Sequence, residues 1–227
     1  MHAHAFPALR GAVPRLAPPA CLLAVMAAAL WLLDRIAPGG GAAAMLPALA
    51  GMAAGCAALA WVRPQRAGLS PPHVMLALGF VGMLLGLLVD IAHAGPAQLD
   101  ALCGQAVTRG FAEALALHLA YLPGMHAGML AGGLLAIPSL RLMRPHCGRY
   151  LCALFAQNLL CSAWMLVGMT AGALWLARWQ PLAGGGTLPG MLGGMFVGMT
   201  WGMVASVALY RGFYTWRDRR ARRAAAH

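Results

Sequence analysis

The sequence predicts an all-α integral membrane protein, a compact bundle of six transmembrane helices whose two termini both lie on the cytoplasmic side. Of its 227 residues, 61% are hydrophobic and only 9% are charged. So few charges cannot cover a water-soluble globule of this size, and lipid is the expected solvent. The number of long apolar stretches and the distribution of arginine complete the prediction.

Six apolar stretches are long enough to cross a hydrocarbon core roughly 30 Å thick. They cover residues 19–36, 42–62, 73–94, 113–137, 150–177 and 189–210, with glycine, proline and arginine between them. Residues 1–18 are a predicted cytoplasmic N-terminal segment, and residues 211–227 a basic cytoplasmic tail. A basic segment before a short apolar run also describes a signal peptide. Cleavage of the first span, which would leave five, therefore stays open.

The arginines set the orientation. All sixteen basic residues are arginine, and a cytoplasmic N-terminus places thirteen of them inside and only Arg35, Arg109 and Arg178 outside. This excess matches the positive-inside rule and favours a bacterial inner membrane. Because the arginines lie between apolar runs and not on a separate basic domain, we expect lipid and not nucleic acid as the partner. Aromatic residues in the tail indicate an interfacial anchor on anionic lipid.

Glycines at four-residue spacing predict close helix packing, because they let two backbones approach. The sixth span carries such a row at Gly190, Gly194, Gly198 and Gly202, and four other spans carry shorter ones. The rows could pack within one chain or between copies in a homo-oligomer. The six cysteines form no CxxC pair and lie mostly in apolar runs, which favours packing over a disulfide framework.

Nine of the fifteen methionines directly follow a glycine. Four of them form a ridge about 18 Å long on the sixth span. Thioether sulfur is a soft ligand that selects Cu(I), and passage through a membrane requires weak, releasable binding. The alternative is that methionine fills irregular gaps beside the glycines. The pairing of MxxxM with GxxxG in one helix is similar to Ctr-type copper importers, which differ in helix number, and the resemblance implies copper as the ligand.

An internal repeat links two of the spans. LPGMHAGMLAG at residues 122–132 matches LPGMLGGMFVG at residues 188–198. Both copies lie at the same depth in helices that run from outside to inside, which predicts parallel duplication of a helical hairpin. Pro123 and Pro189 mark either kinks or first-turn positions.

Ionisable residues inside the spans are few, and such residues are functional candidates. We expect Asp90, His93, Glu113 and His118 to meet near the outer surface. Tyr121, Met125 and Met129 would continue a stripe down the fourth helix, with His126 near the bilayer centre. The candidate metal ligands are Asp90, His93, Glu113, His118, Met125, His126, Met129, Met165, Met169, Met191, Met195, Met199 and Met203.

A plainer role exists for each ionisable residue. Asp90 could pair with His93, and Glu113 could stabilise a helix N-terminus through the dipole. A buried imidazole such as His126 needs a partner, and the neighbouring residues Gln157 and Asn158 could supply it or could hydrogen-bond elsewhere in the bundle.

The leading functional prediction is a small permease or metal-binding membrane protein that handles a soft transition-metal ion, with copper the best match. Two alternatives remain. Six compact helices also describe the substrate-capture subunits of small-molecule transporters. The other alternative is a non-transport protein, either an assembly factor or a haem-carrying membrane protein with His93 and His118 as candidate axial ligands. No enzyme is expected, because the chain has no Ser/His/Asp set, no HExxH and no GxxxxGK.

Overall fold

The structure is a computed structural model that describes residues 20, 22–32, 35, 42–62, 71–106, 108–143, 151–179 and 187–224. Within these ranges the fold is all-helical and contains no strand. The helices are α1 (Leu22–Leu32), α2 (Ala42–Val62), α3 (Pro71–Ala94), α4 (Pro96–Ala106), α5 (Phe111–Tyr121), α6 (Pro123–Met143), α7 (Leu151–Trp179) and α8 (Leu188–Ala224).

Four helices, α2, α3, α7 and α8, are long and apolar enough to cross a membrane. The bent pair α5 and α6 makes a fifth candidate if the two helices form one span. α1 is apolar but has only 11 residues, and the rest of the predicted first span lies largely outside the described residues. Many exposed side chains on these helices are themselves apolar, including Leu85, Leu135 and Leu159. Such a surface suits lipid and not water.

The predicted fourth span, 113–137, is wrong as a single helix. α5 ends at Tyr121, α6 begins at Pro123, and the two helices are bent by 89°. Leu122 between them has φ −123° and ψ 48°, outside the helical region. Proline disfavours a helical conformation in the residue before it, and it suits the first helical position because it has no N–H. Pro123 therefore starts a helix, and Pro189 likewise lies in the first turn of α8.

Glycines hold α3 against α6. A Cβ added to Gly82 would overlap the carbonyl oxygen of Gly128, and one added to Gly86 would overlap that of Gly124. Only glycine allows the two backbones this close, so the predicted close packing is confirmed and it occurs within one chain.

The same device holds α7 against α8. Added Cβ atoms on Gly168 and Gly172 would overlap the carbonyl oxygens of Gly198 and Gly194, respectively. Both helices that carry the LPGM repeat, α6 and α8, thus pack through glycine rows on a partner helix.

α8 is the central helix of the bundle. Every residue from Leu188 to Thr200 is buried, as expected for a helix that is apolar on all sides. α2 packs on α8, where the Trp201 indole donates a 3.1 Å hydrogen bond to the Gly51 carbonyl. α8 does not end near residue 210 as the predicted span did. It continues through the basic segment as one helix of 37 residues.

Candidate functional site

Nine buried methionines of α3, α6, α7 and α8 form a set that we call the methionine core. Eight of them directly follow a glycine, and Met165 does not. Each is exposed by 1% or less: Met83, Met125, Met129, Met165, Met169, Met191, Met195, Met199 and Met203. The predicted thioether ridges therefore face the protein interior and not lipid.

The side of α8 on which its methionines lie follows from the contacts of the residues next to them. Gly194 and Gly198 contact α7, whereas Phe196 packs edge-on against Phe80 of α3 with ring centroids 4.8 Å apart. One residue is a rotation of about 100° on a helix. The row that includes Met195 therefore lies between the side facing α7 and the side facing α3.

Methionines of α6 and α7 both lie close to one glycine of α3. A Cβ placed on Gly79 of α3 would lie 3.7 Å from Met165 Cε and 3.9 Å from Met129 Cγ. At this point the methionine core brings side chains of two helices against the backbone of a third.

His126 lies in the first turn of α6 and is 4% exposed. Its Nδ1 forms a 2.8 Å hydrogen bond with the carbonyl oxygen of Leu122. A carbonyl only accepts, so Nδ1 carries the proton in this bond and a neutral ring keeps its lone pair on Nε2. That Nε2 is buried and has no hydrogen-bond partner among the described residues.

His118 lies in the last turn of α5 and is 3% exposed. Neither of its ring nitrogens has a hydrogen-bond partner in the part of the chain that the structure describes. The Leu122 N–H donates a 2.8 Å hydrogen bond to the His118 carbonyl, and the Leu122 carbonyl accepts the bond from His126, so the two histidines lie on either side of the α5–α6 break. His118 also lines a crevice with Cys103 and Tyr121. Its free volume of about 10 Å³ is close to the space of one water molecule.

The buried side chain of Asp90, which belongs to α3, lies against the N-terminus of α6. Its two carboxylate oxygens accept hydrogen bonds from the backbone N–H groups of Gly124 (2.9 Å) and Met125 (2.7 Å). A carboxylate at a helix N-terminus satisfies orphan donors and complements the helix dipole. Asp90 therefore caps α6, and its oxygens are already engaged.

The predicted outer cluster of Asp90, His93, Glu113 and His118 is not formed. His93 and Glu113 are exposed, whereas Asp90 and His118 are buried. Among the described residues, no group of three or more His, Cys, Asp or Glu side chains could hold a metal ion. Glu113 lies in the first turn of α5, where the dipole interpretation applies. The cluster fails because Asp90 turns to the α6 backbone.

Two further expectations are corrected. The stripe from His118 through Tyr121 to Met125 is interrupted by the break, and Tyr121 is exposed. Asn158 is not the partner of His126: its Nδ2 donates a 2.6 Å hydrogen bond to the Gly133 carbonyl, which joins α7 to α6. The side chain of Gln157 lies outside the described residues.

Sequence reasoning missed Asp100, whose carboxylate accepts a 2.7 Å hydrogen bond from the Leu188 N–H at the start of α8. Each LPGM helix thus begins on an aspartate from another helix. The LPGM repeat could have indicated this role for Asp100. Two helices that begin with the same sequence are expected to have similar N-terminal caps, and the chain contains few carboxylates that could supply them. Asp100 also affects its neighbour: burial raises the pKa of the Cys103 thiol to about 12, and the Asp100 charge adds to the increase.

No protein-family model, curated protein or solved structure matches this chain. Its candidate site is therefore defined by the burial, hydrogen bonding and donor chemistry of its own residues.

The α5–α6 break can offer two kinds of donor. His126 presents a buried imidazole lone pair, and His118, in the last turn of α5, has two ring nitrogens that make no hydrogen bond to described residues. Met125 and Met129 of α6, which come before and after His126 in the sequence, are both buried. Neutral nitrogen and thioether donors suit a soft monovalent ion, whereas a hard cation requires oxygen ligands.

Proposed function

We propose that this chain is a multi-pass membrane protein that binds a soft transition-metal ion, Cu(I) being the best match, at His118 and His126 beside the methionine core. We further propose six spans with both termini in the cytoplasm of a bacterial cell. The excess of arginine on one side of the predicted spans supports this orientation.

One observation carries the metal proposal: the protonated Nδ1 of His126 is bound to the Leu122 carbonyl while Nε2 is buried without a partner among the described residues. Metal-ligating histidines almost always donate their other N–H to a carbonyl, a carboxylate or water, which fixes the tautomer and the ring. Leaving a buried polar atom unsatisfied costs about 1–3 kcal/mol. A bound metal ion would remove that cost at Nε2.

The identity of the ion follows from the donors. Among the described residues no three His, Cys, Asp or Glu side chains are grouped so that they could hold a metal ion, and a zinc site takes at least three protein ligands of these types. Two imidazoles and nearby thioethers suit an ion that accepts few, soft ligands. The methionine core then supplies weak sites through which such an ion could move across the bundle.

The first test measures copper in the detergent-purified full-length chain, by elemental analysis and by Cu(I) titration against a chromophoric chelator. We expect one tightly held Cu(I) per chain. His126→Ala should weaken binding at least about ten-fold, since even the loss of an outer-shell partner costs roughly 10–100-fold. His118→Ala should weaken it as well.

His93→Ala is the matched control, because His93 is exposed and belongs to the predicted cluster that does not form. It should leave Cu(I) affinity unchanged. Elution volume and thermal unfolding of each variant check that the bundle is intact. Equal affinity in the His126→Ala and His93→Ala variants, or a Soret band in the purified protein, would contradict the proposal.

Transport is tested separately. The double substitution Met195→Leu with Met199→Leu removes two thioether sulfurs and keeps the side-chain volume similar. It should lower copper uptake by cells while leaving Cu(I) bound at the histidines. Unchanged uptake would show that the methionine core only packs the interior.

A further inference from the structure

A groove of about 480 Å³ lies where α2 ends and the basic part of α8 begins. We call it the basic groove. It is lined by Trp61 and Val62 of α2 and by Arg211, Gly212, Trp216 and Arg219 of α8. The α8 residues share one face, because Gly212, Trp216 and Arg219 follow one another at intervals of four and three and Arg211 lies eight residues before Arg219.

The position of the basic groove corresponds to a membrane surface. From Leu188 to Tyr210 α8 carries no charged residue, and at 1.5 Å per residue this length is about 33 Å, close to the hydrocarbon thickness of roughly 30 Å. Arg211 follows directly, and α2 ends at the same level, since the Arg211 guanidinium donates a hydrogen bond to the Val62 carbonyl. A bilayer that covers the apolar length of α8 would have its head groups at the depth of the basic groove.

Both helices contribute an indole ring to the basic groove. Trp61 is 87% exposed and Trp216 is 55% exposed, and tryptophan concentrates at membrane interfaces. The Arg220 guanidinium lies 5.4 Å from the centroid of the Trp216 ring and supports one face of it. The groove therefore has apolar aromatic walls near the bilayer.

Positive charge lines the same groove. Each guanidinium has five N–H donors, and Arg211 uses one of them for its hydrogen bond to the Val62 carbonyl. Arg219 lies two turns further along α8. Arginine binds phosphate through paired hydrogen bonds, and juxtamembrane arginines attract anionic lipid.

We propose that the basic groove binds one anionic phospholipid, with its phosphate on Arg211 and Arg219 and its acyl chain beside Trp61. Charge complementarity, indole walls and location at the end of the apolar segment all favour this occupant. The groove lies away from the α5–α6 break, so the proposal is independent of metal binding.

The floor of the groove supplies a test that leaves charge unchanged. A Cβ added to Gly212 meets no atom within 4 Å, so the leucine side chain in Gly212→Leu starts from open space and takes up room in the groove. Arg211→Gln with Arg219→Gln removes the charge instead, and Arg219→Gln alone spares the Val62 hydrogen bond in case the double variant misfolds.

The experiment titrates the full-length protein in neutral detergent with short-chain phosphatidylglycerol, and in parallel with phosphatidylcholine of the same chain length. Native mass spectrometry counts the retained lipid. We expect one phosphatidylglycerol bound in preference to phosphatidylcholine. Each lost arginine should weaken binding about five-fold and the pair about thirty-fold, and Gly212→Leu should abolish saturable binding.

Two controls match these variants. Arg222→Gln with Arg223→Gln removes two charges from the same helix outside the groove, and Gly104→Leu makes the same glycine substitution at another open position. Both should bind phosphatidylglycerol within about two-fold of the unaltered chain, well inside the change that one groove arginine produces. Unchanged binding by Gly212→Leu, equal losses for the two arginine pairs, or equal binding of both lipids would overturn the proposal.

Discussion

Replacing Gly128 with alanine should separate α3 from α6. A Cβ at Gly128 would lie 2.8 Å from the carbonyl carbon of Gly82 and 3.3 Å from the backbone nitrogen of Gly86, and it would overlap the Gly82 oxygen. All of these are backbone atoms, which cannot rotate away. Ordinary carbon contacts begin at 3.4 Å, so the helices must move apart by roughly 0.6 Å or more, a gap that already forfeits a quarter to a half of each dispersion contact.

The size of the effect combines two opposing contributions. Overpacking of a close-packed interface costs about 1–3 kcal/mol. Alanine in place of glycine in a helix returns up to about 1 kcal/mol. We therefore expect Gly128→Ala to lower the free energy of unfolding by roughly 1–2 kcal/mol.

The assay is reversible unfolding of the purified protein by sodium dodecyl sulfate in mixed micelles, followed by tryptophan fluorescence. Gly212→Ala is the control, because a Cβ there meets nothing within 4 Å and the propensity gain acts alone. It should be neutral or stabilising. If Gly128→Ala and Gly212→Ala unfold at the same detergent fraction, the backbone approach between α3 and α6 is not what limits the substitution, and the packing argument is refuted.

Three further predictions concern single polar groups. Asp90→Asn should lower the free energy of unfolding by about 1.5–3 kcal/mol, because hydrogen bonds to a charged group are lost at the α6 N-terminus. Asp100→Asn is the comparison, since its hydrogen bond is only part-buried. If Asp90→Asn lowers the free energy of unfolding by no more than Asp100→Asn does, the prediction is contradicted. Asn158→Leu should cost about 0.6–1.7 kcal/mol in the same unfolding assay, the range for hydrogen bonds between membrane helices, and a neutral result would mean that the Gly133 carbonyl finds another donor. Cys103 should resist maleimide in the folded protein at pH 8, because burial and Asp100 raise the pKa of its thiol to about 12 and only the thiolate reacts. Detergent-unfolded protein should be labelled at the same pH. The stability that Cys103 contributes should fall as the pH rises above 9.0, because the thiol of the unfolded chain ionises first. Rapid labelling of the folded chain at pH 8 would show that Cys103 is not in a buried site that raises its pKa.

Apolar periodicity and glycine spacing were sufficient for much of the fold. The predicted span 42–62 coincides with α2, and the glycine row of α8 lies in the helix contact that its spacing indicates. Both features depend on local sequence and on helix geometry alone, which the chain specifies directly.

The break at Leu122 could not be decided from the sequence, because proline at residue 123 allows either a kink or a helix start. What separates these outcomes is the Asp90 carboxylate, which lies 34 residues before Gly124 and caps the new helix there. The partner of His126 was missed for the same reason. Its carbonyl acceptor belongs to Leu122, the residue that leaves the helix, so the hydrogen bond follows from the break and from no pattern of residue types.

The packing of α2 on α8 has a consequence for biosynthesis. Among the helices from α2 to α8, the principal neighbour of α2 is α8, and the Trp201–Gly51 hydrogen bond joins residues 150 positions apart. At a translation rate of about 5–20 residues per second, α2 waits roughly 10–30 s in the membrane before that neighbour emerges. During this interval the face of α2 that carries Gly51 is open to lipid and to the insertion machinery, and a ribosome that stalls before α8 leaves the bundle without its centre.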